Sequence, residues 1–329
     1  MDSCDIDFVL PWVDGADPAW KALYDLYSSQ EEKDFNKYGE RFRDYNLLRF
    51  WFRGVEKNAP WVRKIHFVTC GHYPPWLDLN HPKIHFVKHS DYIPSRYLPT
   101  FSSLVIENNV HRIDGLADHF VLFNDDIYLS ATVCPEDFFK HGLPRDVGVR
   151  HFIELNDYGH IDLNNISLVN RHLSYWKTFK KSPFKWFNYR YGVNCLRNVY
   201  FLGYRDFIGI KHRHLANSYL KSTYQKVWES CADALEDTNT RRFRSVNDVN
   251  QWLFQYWQLA SGQFYPKRFH FGCFCLASDI DLIERILSQK RKKLLCINDV
   301  ELADISALKQ DLFRIFNKEF PEKSGFELF

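Results

Sequence analysis

The chain has 329 residues, enough for one large domain or two smaller ones, and 45% of them are hydrophobic, which supports a sizeable core. The formal net charge of +2 provides no overall field that would attract nucleic acid, so we expect no nucleic-acid partner. The sequence has no apolar run near 18 residues and no signal peptide. These features predict a cytoplasmic protein whose membrane contact, if any, is peripheral and at the inner face.

The cysteines also favour the cytosol. Eight are spread along the chain, and none belongs to a CxxC pair. Cys273 and Cys275 are separated by one residue and have no companion pair, which argues against a zinc site. We therefore expect free thiols in a reducing compartment.

Residues 5–130 alternate between strand and helix patterns. This alternation predicts an α/β core with a mostly parallel sheet and crossover helices. The predicted strands are Ile6–Val13, Ile65–Thr69, Ile84–Val87 and Phe120–Phe123, and the predicted helices are about Arg43–Lys57 and Ser102–His111.

Residues 131–245 read as a helical accessory region, and residues 246–329 as helices and a strand that complete the core. No internal repeat or linker divides the chain, so we predict a single domain over residues 1–329. The predicted elements are a strand at Val147–Glu154, helices at Asn164–Trp176, Ala216–Cys231, Val246–Ala260 and Asp279–Gln289, a strand closing at Cys296–Asp299, and an amphipathic tail at Leu302–Phe320.

The most informative segment is the apolar run Phe120–Phe123, which ends abruptly in Asn124-Asp125-Asp126. Such a run is typical of a buried parallel strand, and the polar triplet then lies at its carboxyl end, where open α/β sheets bind ligands. Paired carboxylates there suit a hard divalent cation, Mg²⁺ or Mn²⁺, and the cation suits a diphosphate. The alternative is a polar turn in which Asp125 or Asp126 caps the next element.

Several further segments accompany this triplet in a fixed order. They are Asp5–Pro18, Arg41-Phe42-Arg43-Asp44 with the helix and strand that follow it, Leu98–Ser103 with Ile106-Glu107 and His111-Arg112, and Cys296-Ile297-Asn298-Asp299. Together they resemble the Stealth family of sugar-phosphate transferases. That family includes bacterial capsular polysaccharide phosphotransferases and the catalytic subunit of animal GlcNAc-1-phosphotransferase. The resemblance implies a Rossmann-like core similar to that of GT-A glycosyltransferases.

The resemblance implies transfer of a sugar 1-phosphate from a UDP-sugar to a hydroxyl of an oligosaccharide or lipid-linked glycan. UDP-GlcNAc, UDP-GalNAc and UDP-hexoses are all open as donors, and UMP would be released in capsule or exopolysaccharide synthesis. An alternative is a metal-dependent GT-A glycosyltransferase that releases UDP. A non-catalytic carbohydrate-binding protein would use the many aromatic residues, but it would not explain the acidic strand ends.

The resemblance also assigns residues to the two substrates and to the metal. For Arg53, the spacing from Arg49 adds a shared helix face, and a guanidinium fork suits a diphosphate. The predicted donor-binding residues are Asp7, Trp12, Asp14, Gly15, Arg53 and Asn124, and the predicted metal ligands are Asp125, Asp126 and Asp299.

The predicted catalytic residues are Glu107, Asp126, His214 and Arg244. Glu107 would bind sugar hydroxyls or act on a proton. His214 would accept the acceptor's proton, since imidazole titrates near neutral pH, and His212 is its competitor. Arg244 would stabilise charge on the transferred phosphoryl group, with Arg242 as the alternative.

Overall fold

The computed structural model describes residues 5–29, 42–153, 159–300 and 304–329, which form a mixed α/β structure. Its strands are β1 (Ile6–Pro11), β2 (Ile65–Thr69), β3 (Ile84–Lys88), β4 (His119–Leu122), β5 (Ile127–Leu129), β6 (Phe139–Lys140), β7 (Leu143–Asp146), β8 (Asn217–Leu220), β9 (Tyr265–Pro266), β10 (Gly272–Leu276) and β11 (Leu294–Asn298).

The helices are α1 (Pro18–Tyr27), α2 (Leu48–Asn58), α3 (His89–Tyr92), α4 (Ser103–Asn108), α5 (Pro135–Phe138), α6 (Gly159–His172), α7 (Tyr175–Lys181), α8 (Pro183–Trp186), α9 (Cys195–Tyr200), α10 (Lys221–Ser230), α11 (Ala232–Thr240), α12 (Trp252–Ala260), α13 (Ile280–Gln289) and α14 (Ser306–Glu319). Within the described ranges, no helix is both long enough and apolar enough to cross a membrane.

The central sheet has the strand order β3-β2-β1-β4-β8. The first three pairings are parallel, and β8 pairs antiparallel to β4. Because the chain builds outward from β1 to β3 and then crosses back to β4, the strand order reverses between β1 and β4. Open sheets bind ligands outside the carboxyl ends of the strands at such a reversal.

Two smaller sheets extend the central one. In the order β10-β11-β5, β10 and β11 are parallel, whereas β5 is antiparallel to β11. The sheet β6-β7-β9 also contains both kinds of pairing. The prediction of a mostly parallel sheet therefore holds only for strands β1–β4, and the sheets as a whole are mixed.

The triplet Asn124–Asp126 joins the central sheet to the second one, since β4 ends at Leu122 and β5 begins at Ile127. The antiparallel pairing of β11 with β5 sets Cys296 opposite Ile127. The backbone N–H of Ile297 donates to the carbonyl oxygen of Asp126 at 2.9 Å. The end of β11 therefore arrives at the same place as the triplet.

Side chains alternate between the two faces of the central sheet, and each face carries its own buried cluster. Phe8 and Phe123 pack together on one face with ring centroids 4.8 Å apart. Val9 and Phe120 point into the cluster on the other face. Most of the aromatic residues of the sequence belong to these two clusters or pack against them. The two clusters hold the strand ends in place.

Several predicted elements differ in the structure. The helix predicted from Arg43 begins at Leu48, because Asn46 has a φ of 59°, in the left-handed region that interrupts a helix. The segment predicted as one helix at Ala216–Cys231 is strand β8 followed by helix α10, since pairing with β4 overrides helical propensity at Asn217–Leu220.

Two further differences lie between residues 147 and 260. Residues 147–153 of the predicted strand Val147–Glu154 form only a bridge between Arg150 and Ile210, and Glu154 lies outside the described residues. The helix predicted from Val246 begins at Trp252. Before it, the side chain of Asp248 accepts from the N–H of Ser245, and such local bonds compete with a helix.

The guanidinium of Arg53 binds the C-terminal segment of the chain. It forms a two-pronged ion pair with Glu327, with Nε–Oε1 at 2.7 Å and Nη2–Oε2 at 2.9 Å, and it donates to the carbonyl of Phe320 at 2.9 Å. Both side chains are almost fully buried. The prediction that Arg53 binds the donor diphosphate is corrected, because its hydrogen-bonding fork is already engaged by a carboxylate.

We expect Arg53→Ala to lower the free energy of unfolding by about 3–5 kcal/mol, since it leaves the Glu327 carboxylate buried without its partner. Chemical denaturation measures this loss. Lys57→Ala is the control, because Lys57 on the same helix pairs with Glu319 near solvent and should change stability by less than about 1 kcal/mol. An Arg53→Ala protein as stable as the control would contradict the structural role.

The same pair predicts an acid-dependent stability. Burial alone would raise the pKa of Glu327, but hydrogen bonds from Arg53 and Ser324 outweigh it and lower the pKa below its ordinary value. The stabilisation is therefore present above the unfolded glutamate pKa and is lost as pH falls through the lower folded pKa. Denaturation at stepped pH should show a smaller loss of stability on acidification in Arg53→Ala than in the unaltered chain.

Candidate active site

A cleft opens at the carboxyl edge of the central sheet, where the strand order reverses. Its volume of about 400 Å³ is in the range of small-molecule sites. Its lining comes from the ends of β1, β4 and β11, from β5, from the segments before α2 and β8, and from the loop between α11 and α12. The lining residues are Trp12, Arg43, Asp44, Tyr45, Leu47, Leu48, Asn124, Asp125, Asp126, Tyr128, His214, Arg244, Ile297, Asn298 and Asp299.

A second, more aromatic cavity adjoins the cleft and shares four lining residues with it: Trp12, Asn124, Asp125 and Arg244. Its other lining residues are Pro11, Val13, Trp20, Phe42, His89, Thr100, Phe101, Ser103, Ile106 and Glu107. Most predicted site residues therefore surround one continuous space, with the carboxylates of the triplet between its two parts.

Carboxylates crowd this space. Desolvation by the walls of the cleft, reinforced by the charges of Asp126 and Asp44, raises the pKa of Asp125 to about 7, although its side chain is exposed to the cleft. Burial likewise raises the pKa of Glu107 to about 7, although Arg244 and Ser103 oppose the shift. Asp44 also has a raised pKa, chiefly because it is buried. So many acidic groups in one place favour a cation among them.

Asp126 uses its two oxygens differently. Oδ2 faces Nε2 of His214 at 3.5 Å and accepts from the thiol of Cys296 at 3.3 Å. Oδ1 is buried and has no hydrogen-bond partner within the described residues. An orphaned carboxylate oxygen in an acidic cleft is what a metal ligand would leave in a structure without the ion.

Asp299 shows the same division of roles. The hydroxyl of Tyr45 donates to its Oδ1, and Arg43 lies 3.4 Å from the same oxygen. Oδ2 is buried and unpartnered among the residues that the structure describes. Asp299 therefore lines the cleft with one oxygen held in place and the other available.

Asp125, Asp126 and Asp299 supply carboxylate oxygens, the ligand type that hard divalent cations such as Mg²⁺ or Mn²⁺ prefer. Ligand atoms of Asp126, His214 and Cys296 lie within 4.8 Å of one another. Burial and the nearby Asp126 raise the pKa of the Cys296 thiol, which donates to the carboxylate.

His214 lines the cleft, and His212 does not. The aspartate contact raises the pKa of His214 although burial lowers it. Its φ of 42° places it in the left-handed region, where non-glycine residues are uncommon and which recurs at functional sites. His212 stacks on Trp252 at 4.0 Å and bonds the hydroxyl of Tyr256, and burial lowers its pKa to about 3.

Arg244 lines both parts of the space, and its Nη2 donates to Oγ of Ser103 at 2.5 Å. Its charge acts on both Glu107 and His214. The competing Arg242 instead lies over the ring of Tyr27, 4.7 Å from its centroid. The structure thus brings Arg244 to the predicted carboxylates and leaves Arg242 elsewhere.

Four predicted donor-binding residues lie at the carboxyl edge. Trp12 and Asn124 line both cavities. Asp14 and Gly15 lie in the loop after β1, where the N–H of Asp14 donates to His72 at 2.8 Å. A Cβ on Gly15 would stand 2.3 Å from the carbonyl oxygen of Phe42, so glycine permits the loop to approach the chain before α2.

Asp7 is the second donor-binding assignment that the structure corrects. It lies near the start of β1, opposite Phe120, at the far end of the strands from the triplet. Its buried carboxylate accepts from Arg63, His66 and the N–H of Ala117. Burial would raise its pKa, but these partners lower it. Asp7 is therefore a charged structural anchor, like the Arg53 pair.

Sequence reasoning missed three residues that hold the aspartates of the cleft in place. Arg43 and Tyr45 hold Asp299, and Cys296 holds Asp126. A signal existed for Arg43, which lies in the quoted Arg41–Asp44 segment. Cys296 likewise lies in the quoted Cys296–Asp299 segment. Tyr45 carried no signal, because a lone tyrosine has no spacing that marks it.

Comparison with known proteins agrees with the sequence resemblance. Residues 5–32 match the family description "Stealth protein CR1, conserved region 1", and residues 41–146 match "Stealth protein CR2, conserved region 2". The apo structure of the bifunctional glycosyltransferase WbbM is a distant likeness, with a TM-score of 0.38 and 8% identity over 95% of this chain and 50% of that chain.

Three curated relatives align almost end to end. The capsular polysaccharide phosphotransferase WcwK of Streptococcus pneumoniae is 41% identical over 98% of both chains. The receptor polysaccharide phosphotransferase WefC of Streptococcus gordonii is 40% identical over 98% of this chain and 99% of its own. The exopolysaccharide phosphotransferase cps2G of Lactiplantibacillus plantarum is 37% identical, with coverages of 98% and 96%. The chain therefore belongs to the Stealth family.

Proposed function

We propose that this protein transfers a sugar 1-phosphate from a UDP-sugar to a hydroxyl of a glycan acceptor in capsule or exopolysaccharide synthesis. The acceptor oxygen attacks the phosphorus that carries the sugar. The bond from that phosphorus to the bridging oxygen breaks, and UMP leaves with the bridging oxygen. The product is a phosphodiester between the two glycans.

One observation carries the proposal. The carboxylates of the triplet, His214 and Arg244 all line one cleft at the strand reversal. Phosphoryl transfer needs charge neutralisation, positioning and a proton acceptor, but little covalent chemistry from the protein. The near-complete alignment with phosphotransferases supports the same reaction class. We also propose a single GT-A-like catalytic domain, since strands β1–β4 follow the order 3-2-1-4.

In the proposed complex the donor spans both parts of the space. Its diphosphate lies near Asp125, Asp126 and Asp299, where a divalent cation would neutralise its charge and polarise the phosphoryl oxygens. Trp12 and Asn124 border both cavities and would position the donor across them. Asp14 and Gly15 shape the adjoining loop.

His214 would act on the acceptor hydroxyl. With Nε2 turned toward Asp126, Nδ1 is the nitrogen that accepts the proton, and the carboxylate steadies the imidazolium that results. Arg244 would bind the transferred phosphoryl group, on which charge builds up. Glu107, buried beside Arg244, would bind a sugar hydroxyl in the aromatic cavity.

The products test the reaction type. Incubation with UDP-GlcNAc, UDP-GalNAc and UDP-hexoses, each with a glycan acceptor, should yield UMP in step with phosphodiester formation. Chromatography separates the two nucleotides. Release of UDP, together with a direct glycosidic bond between the sugar and the acceptor, would instead identify a glycosyltransferase and overturn the proposal.

Metal dependence follows from the crowded carboxylates. Asp126→Asn should abolish turnover with little change in the unfolding curve, because the amide keeps the size but not the charge. Excess EDTA should do the same, and Mg²⁺ or Mn²⁺ should restore the rate. Asp311→Asn is the control, since Asp311 pairs with Arg314 at the surface. Full activity in EDTA would count against a catalytic cation.

Substitution distinguishes the roles of His214 and His212. His214→Asn should slow single-turnover UMP release by about 10²–10⁴-fold, because it removes the proton acceptor. Asparagine suits the test, since it tolerates the left-handed backbone. Donor affinity by calorimetry should change little. His212→Asn is the matched comparison, and its effect should fall on stability. An equal decrease in the rate of single-turnover UMP release in both variants would contradict a catalytic role for His214.

A further inference from the structure

We propose that residues 184–204 and the basic groove beside them form a docking surface for an anionic phospholipid bilayer. The surface consists of an apolar ridge and the groove, and both are defined below. It lies outside the active-site cleft, and the inference does not depend on the proposed reaction.

Exposed apolar side chains concentrate in this short stretch. Of the 20 exposed large hydrophobic residues in the described part of the chain, eight lie between residues 184 and 204. We call this set the apolar ridge: Phe184, Tyr189, Val193, Leu196, Val199, Tyr200, Leu202 and Tyr204. Such a concentration on one segment is typical of an interaction site rather than of scattered surface residues.

Helix α9 within the ridge exposes its apolar face and buries a polar residue. Its outward residues Leu196, Val199 and Tyr200 share one face and are 51–76% exposed. Its buried face instead carries Asn198, which donates to the carbonyls of Gly148 and Trp186 and accepts from the N–H of Arg150. A helix that packs onto a soluble core shows the opposite arrangement.

Buried polar side chains hold the ridge with its apolar residues facing solvent. The guanidinium of Arg150 is 1% exposed and donates to the carbonyl oxygens of Phe201, Tyr204 and Asp206. These bonds fix the segment that follows α9, and those of Asn198 fix α9 itself. Because the buried side chains of Arg150 and Asn198 bond the backbone of this segment from its inner side, the apolar side chains point outward.

The ridge adjoins a groove with a volume of about 690 Å³. Tyr189 belongs to both, and Gly192 in the groove wall precedes Val193 in the ridge. The cations lining the groove are Arg190, Arg268, Arg285, Arg291 and Lys292, and no aspartate or glutamate is among its described lining residues. Two of them come from the basic run at Lys290–Lys293, whose first residue pairs with Glu319 instead.

The sequence around the ridge, like the groove lining, contains basic residues and lacks acidic ones. From residue 163 to residue 205 the sequence contains no aspartate or glutamate, although the chain has 41 acidic residues. Apolar residues beside cations, without intervening acids, match a bilayer surface with anionic headgroups. The aliphatic members Val193, Leu196 and Val199 favour lipid over a glycan chain, which would use aromatic rings.

The surface also lies near the acceptor side of the cleft. In strand β10, Cys273 lines the groove, while its neighbour Phe274 packs against the ring of His214 at 6.1 Å. One strand therefore separates the docking surface from the proposed proton acceptor. A bilayer bound at the ridge would hold a membrane-anchored acceptor close to His214.

Vesicle sedimentation of the full chain tests the inference. Vesicles of phosphatidylcholine with one third phosphatidylglycerol should bind the protein more strongly than pure phosphatidylcholine, and the difference should shrink with added salt. The ridge variant Leu196→Ser/Val199→Ser/Tyr200→Ser should bind at least tenfold more weakly. The groove variant Arg285→Gln/Arg291→Gln should lose about fivefold for each charge removed.

Matched controls change exposed residues elsewhere: Leu26→Ser/Phe313→Ser for the ridge and Lys226→Gln/Arg314→Gln for the groove. All variants should retain UMP release with a water-soluble acceptor, which separates this test from that of the proposed reaction. Absence of vesicle binding, or binding unaltered in the ridge variant, would overturn the proposal. Binding to soluble polyphosphate but not to vesicles would assign the groove to an anionic glycan chain and also overturn it.

Discussion

Electrostatic repulsion among carboxylates is the constraint on which this site depends. Asp125 and Asp126 stand next to each other between two sheets, and Asp44, Glu107 and Asp299 line the same continuous space. Burial and mutual repulsion raise the pKa values of several of these groups, so the fold tolerates them only with compensating charge. Arg43 and Arg244 supply part of that compensation, and each is set in place by a segment distant from the triplet in sequence.

Some of the predicted residues that line the cleft have a local pattern in the sequence. An apolar run that stops at acidic residues marks the end of a buried strand, and parallel strands bring such ends to one edge. Asn124, Asp125, Asp126 and Asp299 were found in this way. The family resemblance supplied His214 and Arg244, whose own surroundings in the sequence contain near-identical competitors.

The failures involve partners that are remote in sequence. Spacing showed which helix face Arg53 occupies, but not that Glu327, 274 positions later, would meet it there. Asp7 was likewise assigned from the family resemblance, whereas the structure shows Arg63 and His66 enclosing it at the amino end of β1. Strand β8 was hidden because its pairing with β4 depends on a chain segment nearly a hundred residues away.

The antiparallel direction of β8 has a consequence for how such proteins diverge. Because β8 runs against β4, the residues that precede it, including His214, reach the edge where β4 ends. The excursion that begins after β5 and returns at β8 is thus clamped at both ends to neighbouring strands. Changes in the length or surface of this excursion therefore need not move the imidazole away from Asp126, because strand pairing fixes both of its ends.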